Sequence, residues 1–411
     1  MNHRSRVVPS REGDRVTTLE LFFDLAFVFA FTQLSRLMAQ EHDALGILQA
    51  LVILALLWWS WTAYGWLSNL AHADRGVVRI AMIIGMTAMF VAGLVVLEAY
   101  DDLPGGLSGP MVFAGAYLIA RVTHAVVFVL LSEPALRRRT VITVAFTTIP
   151  SAALLIAGAL LGTPWQIWFT LAAVAVEPIV SYRTSIGVQW PVRSAAHFTE
   201  RHGLIVILAL GESILGIGAG VATEPIGTAI LTGAVISMLI CIGLWWAYFT
   251  DLARAAEQAL GALPAAVRGR AATGAYTYLH LALVGGIVLA ALGLEVAMAH
   301  VDDAGAYGLF GAAALAGGAA CYLAGTAAFA RRLLGRWGLV RLAFAGMLVL
   351  AVPVLALAAP LVALAIVAAV LLALFAVEGL ARASAARRGG PAARLGLTPC
   401  PTTTSSTSPA A

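Results

Sequence analysis

Residues 19–31 read LELFFDLAFVFAF. The run is apolar enough to lie inside a bilayer, yet Glu20 and Asp24 sit in it four residues apart. A charged side chain at the bilayer centre costs about 2.5–3.5 kcal/mol on insertion scales. An i,i+4 spacing places both carboxylates on one helix face. At about 1.5 Å of rise per residue from Thr17, Glu20 lies roughly 5 Å and Asp24 roughly 10 Å into the segment. Glu20 is therefore expected at the membrane interface, opening the helix. Asp24 is the deeper group and the stronger candidate for a functional role.

The rest of the chain resembles this segment in hydropathy. Of its 411 residues 61% are hydrophobic and 11% charged, against about 25% charged in soluble domains. An α-helix needs roughly 20 apolar residues to cross the hydrocarbon core. Twelve such spans are expected, near 17–38, 44–66, 77–98, 110–132, 140–161, 164–183, 198–219, 226–249, 271–296, 305–329, 337–357 and 359–381. The fold class is an all-α integral membrane protein. The net charge of +4 carries no argument for nucleic acid; the expected surroundings are membrane lipids.

All 25 basic residues are Arg. With twelve spans, 23 of them fall in the N-terminal lead, the even-numbered loops and the tail, one (Arg36) falls on the opposite side, and Arg121 lies within a span. Positive charge marks the cytoplasmic side. Both termini are thus expected in the cytoplasm. The charged start, MNHRSRVVPSREGDR, precedes an apolar run too long for a signal peptide. Residues 383–411 are small, polar and Pro-rich, the composition of a disordered tail.

Short matches suggest an internal duplication. Leu57-Trp58-Trp59-Ser60-Trp61 pairs with Leu244-Trp245-Trp246-Ala247-Tyr248, Leu97-Glu98 with Leu294-Glu295, Ala175-Val176-Glu177 with Ala376-Val377-Glu378, and Glu20 with Glu200. The offsets grow in order, 180, 187, 197 and 201. An even number of spans per unit makes the halves parallel, 17–183 and 197–382, joined by a linker at 184–196. Parallel repeats recur in transporters, with sites near the midplane between them. The tryptophans themselves are expected in an interfacial aromatic belt. Glu98, Glu295 and Glu378, at span ends, are expected to be interfacial as well.

Six groups fall from the cytoplasmic half to the middle of the spans: Asp24, Arg121, His124, Glu177, Glu212 and His280. Arg121 and His124 share a face, and Arg121 lies at the depth of Glu212, which makes it a candidate partner for that carboxylate. Glu177 is followed by Pro178, which frees a backbone carbonyl. Glu200 and Arg201, at the start of span seven, are expected at the interface. Isolated burial is costly for each of the six groups, so a shared polar core is the expected arrangement. It is either a static network holding helices together or a lined path for a solute or proton.

No phosphate-binding G-x-x-x-x-G-K-[ST], H-E-x-x-H or G-x-S-x-G motif is present. No enzymatic activity, metal or cofactor is therefore indicated. Cys241, Cys321 and Cys400 have no metal or disulfide spacing; the first two are expected to be buried apolar side chains.

Residues 16–34, VTTLELFFDLAFVFAFTQL, and 197–218, HFTERHGLIVILALGESILGIG, resemble the two signatures of the bacterial low temperature requirement A family. The resemblance implies a bacterial integral membrane protein linked by name to growth at low temperature. It marks Glu20, Asp24, Glu200, Arg201, Gly211 and Glu212 as motif positions and assigns them no role. The functional expectation is a secondary transporter or permease, with proton coupling through Asp24 and Glu212 as its concrete form. The alternative is a non-transporting sensor or assembly protein whose buried charges are structural. Solute, direction and oligomeric state are left open.

Overall fold

The computed structural model describes residues 8–185 and 190–388. The chain runs through α1 (Thr18–Glu41), α2 (Ala44–Leu70), α3 (Gly76–Leu94), α4 (Gly109–Leu131), α5 (Pro134–Leu161), α6 (Trp165–Ser185), α7 (Ala195–Ala219), α8 (Thr228–Phe249), α9 (Leu252–Ala262), α10 (Ala265–Ala272), α11 (His280–Ala299), α12 (Leu309–Leu334), α13 (Leu339–Leu357) and α14 (Pro360–Arg388). A π-helical stretch, Thr273–Leu279, joins α10 to α11. No strand longer than an isolated bridge between Pro9 and Ala71 occurs among the described residues.

Helix ends follow local chemistry. The Thr17 side chain and Glu20 form a reciprocal capping box at the start of α1. Asp43 caps α2 and Ser194 caps α7 through side-chain oxygens. Pro110 and Pro134 occupy the first turns of α4 and α5, where no intrahelical N–H is needed.

Among the described residues eleven helices are long and apolar enough to cross a membrane, one fewer than the twelve expected. Helix α6 is the exception. It has 21 residues, but Gln166, Glu177 and Pro178 interrupt its apolar run. The polar pair turns inward, Gln166 being 5% and Glu177 1% exposed. The helix packs along α5 and against α2, so its polar residues are shielded by protein rather than facing lipid. The chain is a multi-pass helical membrane protein.

Neighbour relations in the first six helices reappear in the later ones. Helix α1 packs on α2 and α3, α3 on α4, α4 on α5, α5 on α6, and α2 on α4 and α6. Helix α7 packs on α8 and α11, α11 on α12, α12 on α13, α13 on α14, and α8 on α12 and α14. Helices α1 and α7 pack on each other. Helices α11 and α12 approach each other closely. A Cβ at Gly286 would meet the Tyr322 nitrogen at 2.7 Å, so the two backbones touch as small residues allow between membrane helices. Gly286→Val is expected to destabilise the protein by about 1–3 kcal/mol, the range for overpacking. A drop in the thermal unfolding midpoint of purified protein checks it.

Three expectations change here. Trp58 and Trp61 are buried, 2% and 0% exposed, and do not belong to an interfacial belt; Trp245 and Trp246 are exposed. Cys241 is buried, but Cys321 is exposed on α12. Helix α14 continues to Arg388, so residues 383–388 are helical instead of tail. The rest of the expected tail, 389–411, and Cys400 with it, lie outside the described residues, as do 186–189 of the expected linker.

Candidate functional site

The opening motif meets α7 in a buried charge cluster. Glu20 and Asp24 lie on one face of α1; His197 and Arg201, with the same four-residue spacing, lie on one face of α7. Arg201 Nη1 donates to Glu20 Oε1 at 2.6 Å and Nη2 to Asp24 Oδ1 at 3.3 Å. His197 Nε2 donates to the same Glu20 oxygen at 2.9 Å. Asn69 Nδ2 lies 3.3 Å from His197 Nδ1, which fixes that tautomer. The other Glu20 oxygen accepts both the backbone N–H and the hydroxyl of Thr17, each at 2.9 Å. Glu20 is thus saturated.

Asp24 differs. Its Oδ1 accepts the Trp61 indole N–H at 2.7 Å, while its Oδ2 is buried without a partner. The Arg201 guanidinium also donates to Ser68 Oγ at 2.9 Å and lies 5.4 Å from the Phe23 ring and 5.5 Å from the Trp61 ring. Cation–π attraction of about 0.5–2 kcal/mol applies at such distances. Glu20, Asp24 and Arg201 are each 0% exposed. Glu20 and Arg201, expected to be partly solvated, are instead shielded by protein. Helix rise gives distance along an axis, but neighbouring elements decide exposure. Glu200 is half-buried beside the cluster, accepting the Val16 N–H at 3.1 Å. Nothing in the structure explains the motif position Gly211, whose surroundings leave room for a side chain.

Residues 8–16 form a strap over this end of the bundle. Ser10 N–H donates to the Leu70 carbonyl, Ser194 Oγ to the Asp14 carbonyl, and Ala195 N–H to Glu12. Arg268 pairs with the same Glu12 carboxylate at 2.9 Å.

A second cluster joins α4 and α6. Arg121 Nη2 donates to Glu177 Oε2 at 2.6 Å, and the Tyr117 hydroxyl donates to Glu177 Oε1 at 2.8 Å. Arg121 pairs with Glu177, not with Glu212 as its depth suggested. Equal depth on two helices does not make them neighbours. Arg121 and His124 are 4% and 6% exposed, yet Arg121 Nε and Nη1 and His124 Nε2 have no partner. Both residues line a cavity of about 120 Å³. Its wall also includes Trp59 and Trp66 from α2, Thr143 from α5 and Tyr278 from the π-helical stretch. That stretch is tied to the first helices at three points. Thr277 O accepts the Trp58 indole N–H at 2.7 Å, Thr277 Oγ1 accepts that of Trp66 at 3.1 Å, and the Tyr278 hydroxyl donates to the Pro178 carbonyl at 3.2 Å. π-Helical turns frequently occur at functional sites.

His280 belongs to a third group. Its Nδ1 donates to the Ala275 carbonyl at 3.1 Å and its Nε2 accepts the Tyr248 hydroxyl at 2.8 Å. The His202 ring lies 5.4 Å away, with Tyr276 and Phe329 packed around His280. Glu212 is apart from all of these. Its Oε2 accepts the Thr32 hydroxyl at 2.7 Å, and Thr32 is eight residues, roughly 12 Å, beyond Asp24 along α1.

The six groups expected in one polar core therefore occupy separate places. Only Arg121, His124 and Glu177 come together; neither Asp24 nor Glu212 lines their cavity. Glu378, expected to be merely interfacial, is half-buried and holds Arg341 through two contacts at 2.7 and 3.1 Å. The residues missed as partners, His197 and Arg201, did carry a signal. Their spacing of four on α7 complements Glu20 and Asp24 on α1. No group of three or more His, Cys, Asp or Glu side chains suited to a metal ion occurs among the described residues.

Trp61→Phe is expected to keep the ring packing but leave Asp24 Oδ1 with Arg201 alone. The cost is about 1–3 kcal/mol, as for a buried hydrogen bond to a charged group. Chemical or thermal unfolding of the purified variant measures it.

An uncharacterized protein of Rhizobium meliloti (strain 1021) is 33% identical over 322 residues, covering 75% of each chain. No solved structure matches. Residues 15–376, a stretch that takes in both the α1–α7 charge cluster and the Arg121 cavity, match the family described as bacterial low temperature requirement A protein (LtrA). The chain belongs to that family.

Proposed function

We propose that this protein is a secondary transporter or permease of the bacterial cytoplasmic membrane. In this reading both termini are cytoplasmic and two parallel six-helix halves enclose the solute site. The observation that carries it is the cavity at Arg121. A guanidinium with unpartnered N–H groups lines it. An intramembrane ionisable residue is by default a functional candidate. The wall combines α2, α4 and α5 with the π-helical stretch before α11, which is the boundary between the proposed halves, where transporter sites occur. The recurring neighbour relations and the ordered sequence matches support the duplication. The arginine distribution supports the orientation. None of the catalytic motifs sought in the sequence is present.

Proton coupling is assigned to Asp24 and Glu212, acting at different depths along α1 and α7. Asp24→Asn and Glu212→Gln are each expected to reduce solute-dependent proton movement at least 10-fold while the protein remains folded. The assay is purified protein in liposomes with an imposed pH gradient and a broad solute panel. Full activity in both variants would exclude this coupling. A panel with no solute moved by wild type would exclude transport.

A second reading has its own observation. In the Glu20–Arg201–His197 group both Glu20 oxygens and both terminal nitrogens of Arg201 are paired, as expected of charges that hold helices together. In that reading the protein is a non-transporting sensor or assembly factor needed for growth at low temperature. Replacing Arg121 and Glu177 together by apolar residues would then preserve function in the cell.

A further inference from the structure

We infer that the cavity at Arg121 binds a small organic monocarboxylate with an apolar body, held by Arg121. The inference deepens the transport reading and rests on it only for the use made of the bound solute.

Charge comes first. None of the lining residues is an Asp or Glu, while Arg121 and His124 both line the space. Glu177 lies on the other side of Arg121 and takes only its Nη2. The Glu177 carboxylate has a second donor in Tyr117, so Arg121 is not its sole support. A guanidinium carries five N–H donors. Here Nε and Nη1 are buried with no acceptor, and His124 Nε2 is buried with no partner as well. Leaving such groups unpaired is costly, the more so for charged ones. A carboxylate oxygen reaching Nε or Nη1 relieves part of that cost through a charge-assisted hydrogen bond, stronger than a neutral one.

Shape and wall chemistry set the rest of the ligand. An apolar cavity of about 150 Å³ accepts benzene; this one, at about 120 Å³, is open on one side and suits a body of ring size. Trp59, Trp66 and Tyr278 give it flat, apolar surfaces. Wall hydroxyls such as Thr143 can meet one or two polar substituents. A second full negative charge would find no additional cation among the lining residues.

The test uses purified full-length protein in nanodiscs, with benzoate as the probe. Quenching of tryptophan fluorescence reports occupancy, since Trp59 and Trp66 line the cavity, and calorimetry gives the stoichiometry. Wild type is expected to bind one benzoate saturably, with benzamide at least 30-fold weaker. The double variant Arg121→Leu/Glu177→Leu removes the guanidinium without stranding a charge and is expected to lose binding at least 30-fold. Thr143→Trp fills the wall while leaving the ion pair intact and is expected to do the same. Thermal midpoints of both variants establish that they are folded.

Absence of saturable benzoate binding by wild type overturns the inference. So does equal binding by all variants, which would be partition into the bilayer. Inorganic phosphate displacing benzoate at equal concentration would make the site a general anion site and overturn the carboxylate assignment. Occupancy by oleate but not benzoate would assign the carboxylate to a lipid instead of a free solute. Benzoate binding without transport would leave this inference standing and remove the transporter; transport of an uncharged solute without benzoate binding would do the reverse.

Discussion

Arg201→Leu is expected to be the most damaging single substitution in the protein. Arg201 is the cation shared by Glu20 and Asp24, and all three are fully buried. Removing one member of a buried charge group strands the others, at a cost of about 3–5 kcal/mol. Here two carboxylates are stranded by one change. His197 still reaches Glu20, but Asp24 keeps only the Trp61 N–H. Folded stabilities are about 5–15 kcal/mol, so the variant is expected to express poorly and to unfold early in a thermal scan in detergent. The triple variant Glu20→Gln/Asp24→Asn/Arg201→Met separates lost charge balance from lost packing. It strands no charge and keeps most side-chain volume, and it is expected to recover most of the midpoint. If Arg201→Leu alone leaves the midpoint within a degree or two of wild type, the cluster does not hold α1 to α7.

The Arg121–Glu177 pair yields the second large effect, and its single and double variants are expected to diverge. Arg121→Leu leaves Glu177 buried with only the Tyr117 hydroxyl, again at about 3–5 kcal/mol. Arg121→Leu/Glu177→Leu is expected to be as stable as wild type or more so, because replacing a buried pair by apolar residues is often neutral or stabilising by about 1–4 kcal/mol. The same double variant is expected to lose solute movement at least 100-fold in liposomes, since the guanidinium is gone from the cavity. Stability retained with activity lost identifies a site. Stability and activity both retained identifies glue, and the transport reading falls.

Much of this could be foreseen from the residues. Apolar runs of spanning length specify helices in a bilayer, because every backbone polar group must be satisfied within its own segment. Helix α1 starts where the Thr17–Glu20 capping box puts it. Helix α6 was foreseen as a helix of spanning length; what differs is its composition, because inward-facing Gln166 and Glu177 lower its apolar content. The roles of Glu20 and Arg201 were misjudged for one reason. Position along a helix gives depth, but the strap of residues 8–16, together with α2 and α7, excludes water from this end.

The chain by itself determined the helical membrane class, most of the span boundaries to within a turn or so, and which residues had to find polar company. These follow from local terms, namely hydropathy over about 20 residues, capping and the four-residue spacing of Glu20 with Asp24 and of His197 with Arg201. Only the tertiary structure decided who answers whom. Arg121 meets Glu177 because α4 and α6 both pack on α2, while Glu212 meets Thr32 because α7 lies along α1. A buried charge constrains its neighbourhood strongly but says nothing of which helix provides the partner. That choice is made by packing across segments far apart in the chain, and it turned one expected polar core into separate clusters, with Arg121 and His124 lining the cavity proposed as the solute site.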